Sequence, residues 1–237
     1  MVSPGVKRGL LILCEGIDHC GKSTQAELLK ASLSNSSVIH FPHKDHLTST
    51  LLNPVIDKTI ARLEPHALAM IFSANRWQKA ADIRNRIESG ETVILDRYVY
   101  SGWAYARANY SLAFAKTGTN PVGEPNLEWL EVLDSGLPVP DIVLQFDVDP
   151  LIAMSRFLPN ETPQIYENVQ FLTEVNKWFD YFEKNLTKEI NWVKIAANNR
   201  SKEDIHNEVD KIVTALGCRS SGPLRSYSKS TLSFFWI

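Results

Sequence analysis

Apolar positions fall along the chain in two rhythms. Short, nearly continuous apolar runs at Leu10–Leu13, Val38–Phe41, Thr92–Leu95, Ile142–Phe146 and Trp192–Ala196 are bounded by turn or charged residues. Runs that short and that uniform predict strands covered on both faces, as in a parallel sheet. Stretches with helical spacing separate them, at about Ser23–Leu33, Pro65–Ser89, Val99–Lys116, Pro150–Phe157, Glu167–Lys188 and Lys202–Leu216. Gly90 stops the second of these as a C-cap residue would. The alternation predicts an α/β fold with a mainly parallel sheet.

Two stretches interrupt it. Residues 117–126 (TGTNPVGEPN) hold two Gly and two Pro and read as a surface loop. Residues 158–164 (LPNETPQ) form a Pro-containing loop between helices, the right place for a mobile lid. The tail from Gly217 to Lys229 is Ser-rich and basic and reads as a loosely held end, with Phe234, Phe235 and Trp236 available to pin its terminus. The expected organisation is one domain over residues 1–216 and a tail over 217–237.

Composition narrows the class. The 237 residues are 44% hydrophobic and 22% charged, which fits a globular chain with a sizeable core. A net charge of −2 sets up no strong field, so partners held by bulk charge, nucleic acid or a membrane surface, are not expected. An anionic substrate would need locally clustered cations. No stretch approaches the roughly 20 apolar residues of a membrane span, and the apolar run at the start is too short for a signal peptide. Cys14, Cys20 and Cys218 are too few for a disulfide framework or a four-ligand zinc site. A reducing compartment fits: the cytoplasm, with the nucleus as the alternative.

Residues 16–23 read Gly16-Ile17-Asp18-His19-Cys20-Gly21-Lys22-Ser23, the pattern G-x-x-x-x-G-K-[ST], after an apolar strand and at the start of a helix. That context marks a phosphate-binding loop. Its glycines let backbone N–H groups face phosphate oxygens, and the helix N-terminus adds positive potential. Lys22 would reach the terminal phosphates and Ser23 would offer a hydroxyl to Mg²⁺. The bland alternative is a glycine turn between strand and helix. No G-x-G-x-x-G follows Leu13, which disfavours a dinucleotide.

Two further signals concern the reaction. Val93-Ile94-Leu95-Asp96-Arg97-Tyr98 ends a buried strand with a carboxylate that can sit near a metal, and Arg97 beside it can fork onto a phosphate. The competing reading has Asp96 cap the next helix with Arg97 paired to it at the surface. Phe72 and Arg76 lie i, i+4 and therefore on one helix face, where they could stack on a base and bond its edge. On spacing alone, a buried Phe and a solvated Arg remain the plainer reading.

With these segments in hand, the chain resembles the thymidylate kinase family in its eukaryotic form. The resemblance covers Arg8 to Val213 apart from the 117–126 loop. It is carried by Glu15–Asp18, Gly21–Gln25, Phe41-Pro42, Phe72–Trp77, Asp96–Tyr98, Ser101-Gly102, Gly136–Pro138, Pro140-Asp141 and Tyr166-Glu167. It implies a three-layer P-loop kinase fold, a five-stranded parallel sheet flanked by helices, paired as a homodimer. It implies transfer of the ATP γ-phosphoryl to dTMP with Mg²⁺, giving dTDP and ADP. Gly16, Cys20, Gly21, Lys22, Ser23 and Thr24 then cradle ATP, with Arg156 near adenine. Ser23 and Asp96 serve the metal. Phe72 stacks on thymine and Arg76 donates to its exocyclic oxygen. Arg97 and Lys44 hold the dTMP phosphate. Asp18 orients the sugar 3′-OH, Tyr105 and Tyr166 wall the sugar and base, and Gly102 lets the base approach closely. Lys22, Asp18, His19 and Arg97 make the catalytic set.

The chain departs from the resemblance in two places. His19 stands where the family commonly has an arginine against the transferring phosphoryl. His43-Lys44 replaces a pair ending in arginine; Lys44 keeps the charge and loses the bidentate fork. Residues 158–165 contain no Lys or Arg to compensate. Either His19 acts as a cation, giving a slower enzyme, or it is a spacer whose backbone N–H does the work. Cys20 sits near a helix N-terminus, where thiolates are favoured, so it is either redox-sensitive or a plain small residue. Metal binding by His40, His43 and His46 is not expected, for want of a fourth ligand. Three alternatives stay open: a kinase for another nucleoside monophosphate or deoxynucleoside, a weakly active nucleotide-binding protein, and a GTP-dependent switch. The last lacks an N-K-x-D motif, since Asn176-Lys177-Trp178-Phe179 has no Asp.

Overall fold

A computed structural model of the chain describes residues 7–44, 47–57, 63–117, 126–156, 168–186, 190–217 and 222–228. The expected lid at 158–164, Tyr166, Phe234–Trp236 and the 118–125 part of the insertion loop lie outside the described residues.

The five apolar runs become β1 (Leu11–Glu15), β2 (Ser36–His40), β3 (Thr92–Asp96), β4 (Ile142–Asp147) and β5 (Trp192–Ala196), all parallel in the order β2-β3-β1-β4-β5. β1 sits in the middle and is buried at every residue. Helices α1 (Lys22–Ser32), α3 (Pro65–Glu88), α4 (Val99–Thr117), α6 (Pro150–Ser155), α7 (Val169–Leu186) and α8 (Lys202–Gly217) fall within a few residues of the expected stretches. α3 starts where Glu64 accepts the N–H groups of His66 and Ala67, with Pro65 at the first helical position. Two helices were not expected. α2 (Leu47–Ile56) contains Pro54 and buries Ser49, Leu52 and Val55, so packing against α3 supplies what its local propensity lacks. α5 (Leu127–Asp134) is short, capped by Asn126, and ends on a buried carboxylate.

The strand order changes direction beside β1, and the C-terminal ends of β1 and β3 meet there; Cys14 lies opposite Asp96 in register. In open α/β sheets, ligands bind at such a switch point. Among the described residues, no helix is long and apolar enough to cross a membrane.

The expected loose tail does not hold over residues 222–228. This segment pairs with the turn after α5 through Gly136 N to Tyr227 O (2.8 Å), Tyr227 N to Leu137 O (2.9 Å) and Val139 N to Arg225 O (3.0 Å). Tyr227 is fully enclosed. Backbone bonds along Gly136–Val139, the Arg84 contact with Ser226 Oγ and the buried Tyr227 ring together hold the strap there.

Candidate active site

The loop after β1 is shaped by its backbone. Gly16 and Gly21 have φ of 140° and 98°, a region where L side chains are strained. At Gly16 a Cβ would also strike Phe146 O at 2.7 Å, so this glycine is required twice over. Gly21 precedes α1 without a side-chain cap, which leaves the helix N-terminal N–H groups available to an anion. Lys22 is buried and its Nζ donates to Ile17 O at 3.0 Å, folded back over the loop. His19 also has positive φ (60°), and its carbonyl accepts from Arg156 Nη1 at 3.0 Å; Arg156 Nη2 donates to Ala197 O. Cys20 is enclosed, and burial pushes its thiol pKa up despite the Lys22 charge. The helix-terminus argument for a reactive thiolate fails here because desolvation is the larger effect.

Asp96 ends β3 beside this loop. Burial opposes its ionisation, but the hydrogen bond with His40 (3.0 Å), the Lys22 charge and the nearby Ser23 hydroxyl prevail and hold its pKa at about 2. The same contact raises His40. Asp96 Oδ1 is buried without a hydrogen-bond partner of ordinary geometry. An ionised carboxylate with one buried oxygen not otherwise bonded, next to the Ser23 hydroxyl, suits a hard divalent cation. Among the described residues no group of three or more His, Cys, Asp or Glu side chains is arranged to hold a metal ion, and His46 lies outside them.

Arg97 holds the centre. Its φ of 68° is unusual for a non-glycine residue, and the turn aims its guanidinium back over the loop. It donates to Gly16 O (3.0 Å), Ser101 Oγ (3.2 Å) and Asp18, and lies 5.1 Å from the Tyr105 ring centroid. Tyr105 OH donates to the other Asp18 oxygen at 2.7 Å. Burial alone would raise Asp18; the Arg97 and Lys22 charges and the Tyr105 hydroxyl overcome it, so the carboxylate is held below its usual range. Glu15, wholly buried, anchors the start of α4 by accepting from Tyr98 N and Ser101 N (both 3.0 Å) and from the Ser101 hydroxyl. The surface pairing of Arg97 with Asp96 is thereby excluded: its partner is Asp18, inside the cleft.

Beside this centre, α3 and α4 wall an apolar cavity that includes Phe41, Leu68, Phe72, Arg76, Gly102 and Tyr105. Arg76 is buried, not solvated. Nε and Nη2 fork onto Asp134 at 2.7–3.1 Å, and Asp134 also accepts from Ser73 Oγ (2.8 Å) and Trp103 Nε1 (2.9 Å). That leaves Nη1 toward the cavity, over Gly102. A Cβ at residue 102 would come within 2.6 Å of Nη1. Gly102 thus makes room for the guanidinium rather than directly for a base. Asn75 clasps the chain at residue 43 through His43 N (2.7 Å) and His43 O (3.0 Å).

A second, more polar cavity opens over the loop and is lined by His19, Gly21, Lys22, Ser23, Thr24 and Arg156, among others. Most of the sequence-expected residues therefore divide between two cavities. Among the described ones Gly16, Asp96 and Lys44 line neither, and the Lys44 side chain is exposed. Sequence reading assigned no role to Glu15, Ser101, Asn75 and Asp134, or to Arg200, Lys202 and Ile205 of the second cavity. Glu15 carried a signal, a charge closing an apolar strand, and Asn75 and Ser101 lay in segments that carried the resemblance; Asp134, Arg200, Lys202 and Ile205 stand where residues of their type are ordinary.

The family model for thymidylate kinase matches residues 14–209. The chain belongs to the thymidylate kinase family. The thymidylate kinase of Plasmodium falciparum is 32% identical over 89% of this chain and 92% of its own length. The human thymidylate kinase is 29% identical over 97% of this chain and 98% of its own. The solved thymidylate kinase of Candida albicans superposes with a TM-score of 0.82 at 30% identity, over 93% of this chain and 99% of that one. As a thymidylate kinase family member, the chain is an enzyme that phosphorylates dTMP by ATP-dependent transfer, with small molecules as its substrates. The expected fold holds in full: a five-stranded parallel sheet flanked by helices.

Proposed function

We propose that the second cavity receives ATP, the apolar one dTMP, and that the γ-phosphoryl crosses between them at Asp18 and Arg97. One observation carries this reading: among the described residues, Asp18 and Arg97 are the pair that line both cavities. A dTMP phosphate oxygen attacks the γ-phosphorus, and the bond to the ADP oxygen breaks. No covalent enzyme intermediate is needed, so the residues act by positioning and by charge. Loop N–H groups and Lys22 hold the triphosphate, Lys22 exchanging its Ile17 contact for phosphate oxygens. Arg97 turns from Asp18 to the acceptor phosphate, and Asp18, kept ionised, is left to the sugar hydroxyl. Phe72 and Tyr105 flank the pyrimidine, and Arg76 Nη1 meets its exocyclic oxygen. Arg156 is placed for the adenine end. His19 stands over the transferring group.

Mg²⁺ would be held by Ser23 and Asp96, supported by the unsatisfied Asp96 Oδ1; bound there it would neutralise charge on the phosphates. Pairing of two chains is supported by the apolar side chains left exposed on α2 and α3. A cytoplasmic setting, with the nucleus as the alternative, is supported by free buried Cys14 and Cys20.

A coupled ADP-release assay with dTMP tests the reading. Lys22→Ala should lower kcat by about a hundredfold or more, the usual loss for a preorganised transition-state contact; unchanged turnover overturns it. In the same assay His19→Arg should raise kcat, and an unaltered rate removes the His19 side chain from the mechanism.

A further inference from the structure

The strap at residues 222–228 lines neither cavity, yet it packs directly behind the group that orients Arg76. Tyr227 is 1% exposed. Its ring meets Trp103 edge-on with centroids 6.2 Å apart, and its hydroxyl bonds that of Tyr100 at 2.8 Å. Trp103 Nε1 in turn donates to Asp134. The strap backbone also zips onto Gly136 and Leu137, immediately after Asp134, and Leu137 N donates to Asp134 O at 3.1 Å. Arg84 of α3 fastens both sides of this junction through Gly136 O and Ser226 Oγ. Asp134 is thus braced twice, by an indole and by its own turn, and Tyr227 backs both braces.

We propose that Tyr227 is a positioning residue for base recognition: through Trp103 and the Gly136 turn it holds Asp134, and so fixes the direction in which Arg76 presents Nη1. This rests on the reading above that Arg76 meets the base. A donor aimed at a carbonyl discriminates only while its aim is held; a small displacement costs much of the selectivity. Thymine presents an acceptor at O4 where cytosine presents an amino donor, so dTMP against dCMP reads that aim. The ATP cavity shares none of these contacts.

Steady-state kinetics of the full chain decide it, with ATP, dTMP and dCMP each varied. Tyr227→Ala should raise KM for dTMP about tenfold and cut the dTMP-over-dCMP preference by a similar factor, with KM for ATP within about twofold. Tyr227→Phe, which keeps the ring, should restore both. Arg76→Lys serves as the reference and should lose the preference by itself. If Arg76→Lys loses it and Tyr227→Ala does not, the positioning role is wrong and the Arg76 reading stands. If Arg76→Lys retains it, the Arg76 reading falls first. A rise in KM for ATP in step with that for dTMP also overturns the proposal, as does a Tyr227→Phe as impaired as the alanine variant. Should Tyr227→Ala not fold, Tyr227→Leu is read by the same criteria.

Discussion

Gly102 shows how one missing methyl group can set a binding site. It lies inside α4, where alanine would ordinarily favour the helix by about 1 kcal/mol. Its Cβ would nevertheless sit 2.6 Å from Arg76 Nη1, and that guanidinium has no room to retreat because its other nitrogens are forked onto Asp134. Gly102→Ala should therefore raise KM for dTMP by about tenfold while leaving KM for ATP in place, since displaced donors cost orientation rather than folding. A variant with unchanged KM would show that the guanidinium slides aside freely. The same residue illustrates why a correct assignment can carry an incomplete reason. The resemblance marked Gly102 as a base contact; only the packing shows that its immediate neighbour is an arginine.

At the scale of elements, α5 combines two buried or half-buried acids with opposite fates. Asp134 at its end is fully paired, and breaking such a buried pair costs about 3–5 kcal/mol. Glu131, one turn earlier, is pushed up to about 7, first by burial and then by the Glu128 charge. An acid whose folded pKa exceeds its unfolded value near 4.3 holds more protons when folded, so its contribution to stability falls as pH rises through that interval and is level above it. Glu131→Gln should raise the melting temperature at pH 8 by about 2–4 °C and leave it unchanged at pH 4. Calorimetry at the two pH values checks this; an equal gain at both would point to a packing effect instead. α5 and α2 were also the helices that the apolar pattern did not predict. Each is short, and α2 carries Pro54; both form because α3 offers a surface to cover.

On the scale of the whole molecule, two neighbouring helices leave apolar side chains exposed side by side. Leu47 and Leu51 of α2 are 79% and 54% exposed, and Met70 and Trp77 of α3, against which α2 packs, are 47% and 42% exposed. Side chains spaced by four and seven residues line up along each helix, and neighbouring exposed stripes of this kind are what a second copy would cover. Sedimentation should find twice the chain mass at micromolar concentration, and Met70→Glu should shift the chain to monomer. A monomer that persists at high concentration would sink the pairing.

Much of this was legible in the sequence because it depends on neighbours along the chain. Short uniform apolar runs favour buried strands, and a glycine-framed Lys-Ser after such a run is suited to present N–H groups and a cation to an anion. Strand positions, the phosphate loop and the i, i+4 pair of Phe72 and Arg76 are of this kind; the order β2-β3-β1-β4-β5 is not. Tertiary structure decided what needs distant residues to meet: Asp18 with Arg97 across 79 positions, Arg76 with Asp134 across 58, and Tyr227 with Tyr100 across 127. A pattern of hydrophobicity records how much water each residue must avoid. It does not record which charge will stand opposite when the water is gone, and in a low-dielectric cleft that partner determines whether a group is ionised, aimed or free to turn.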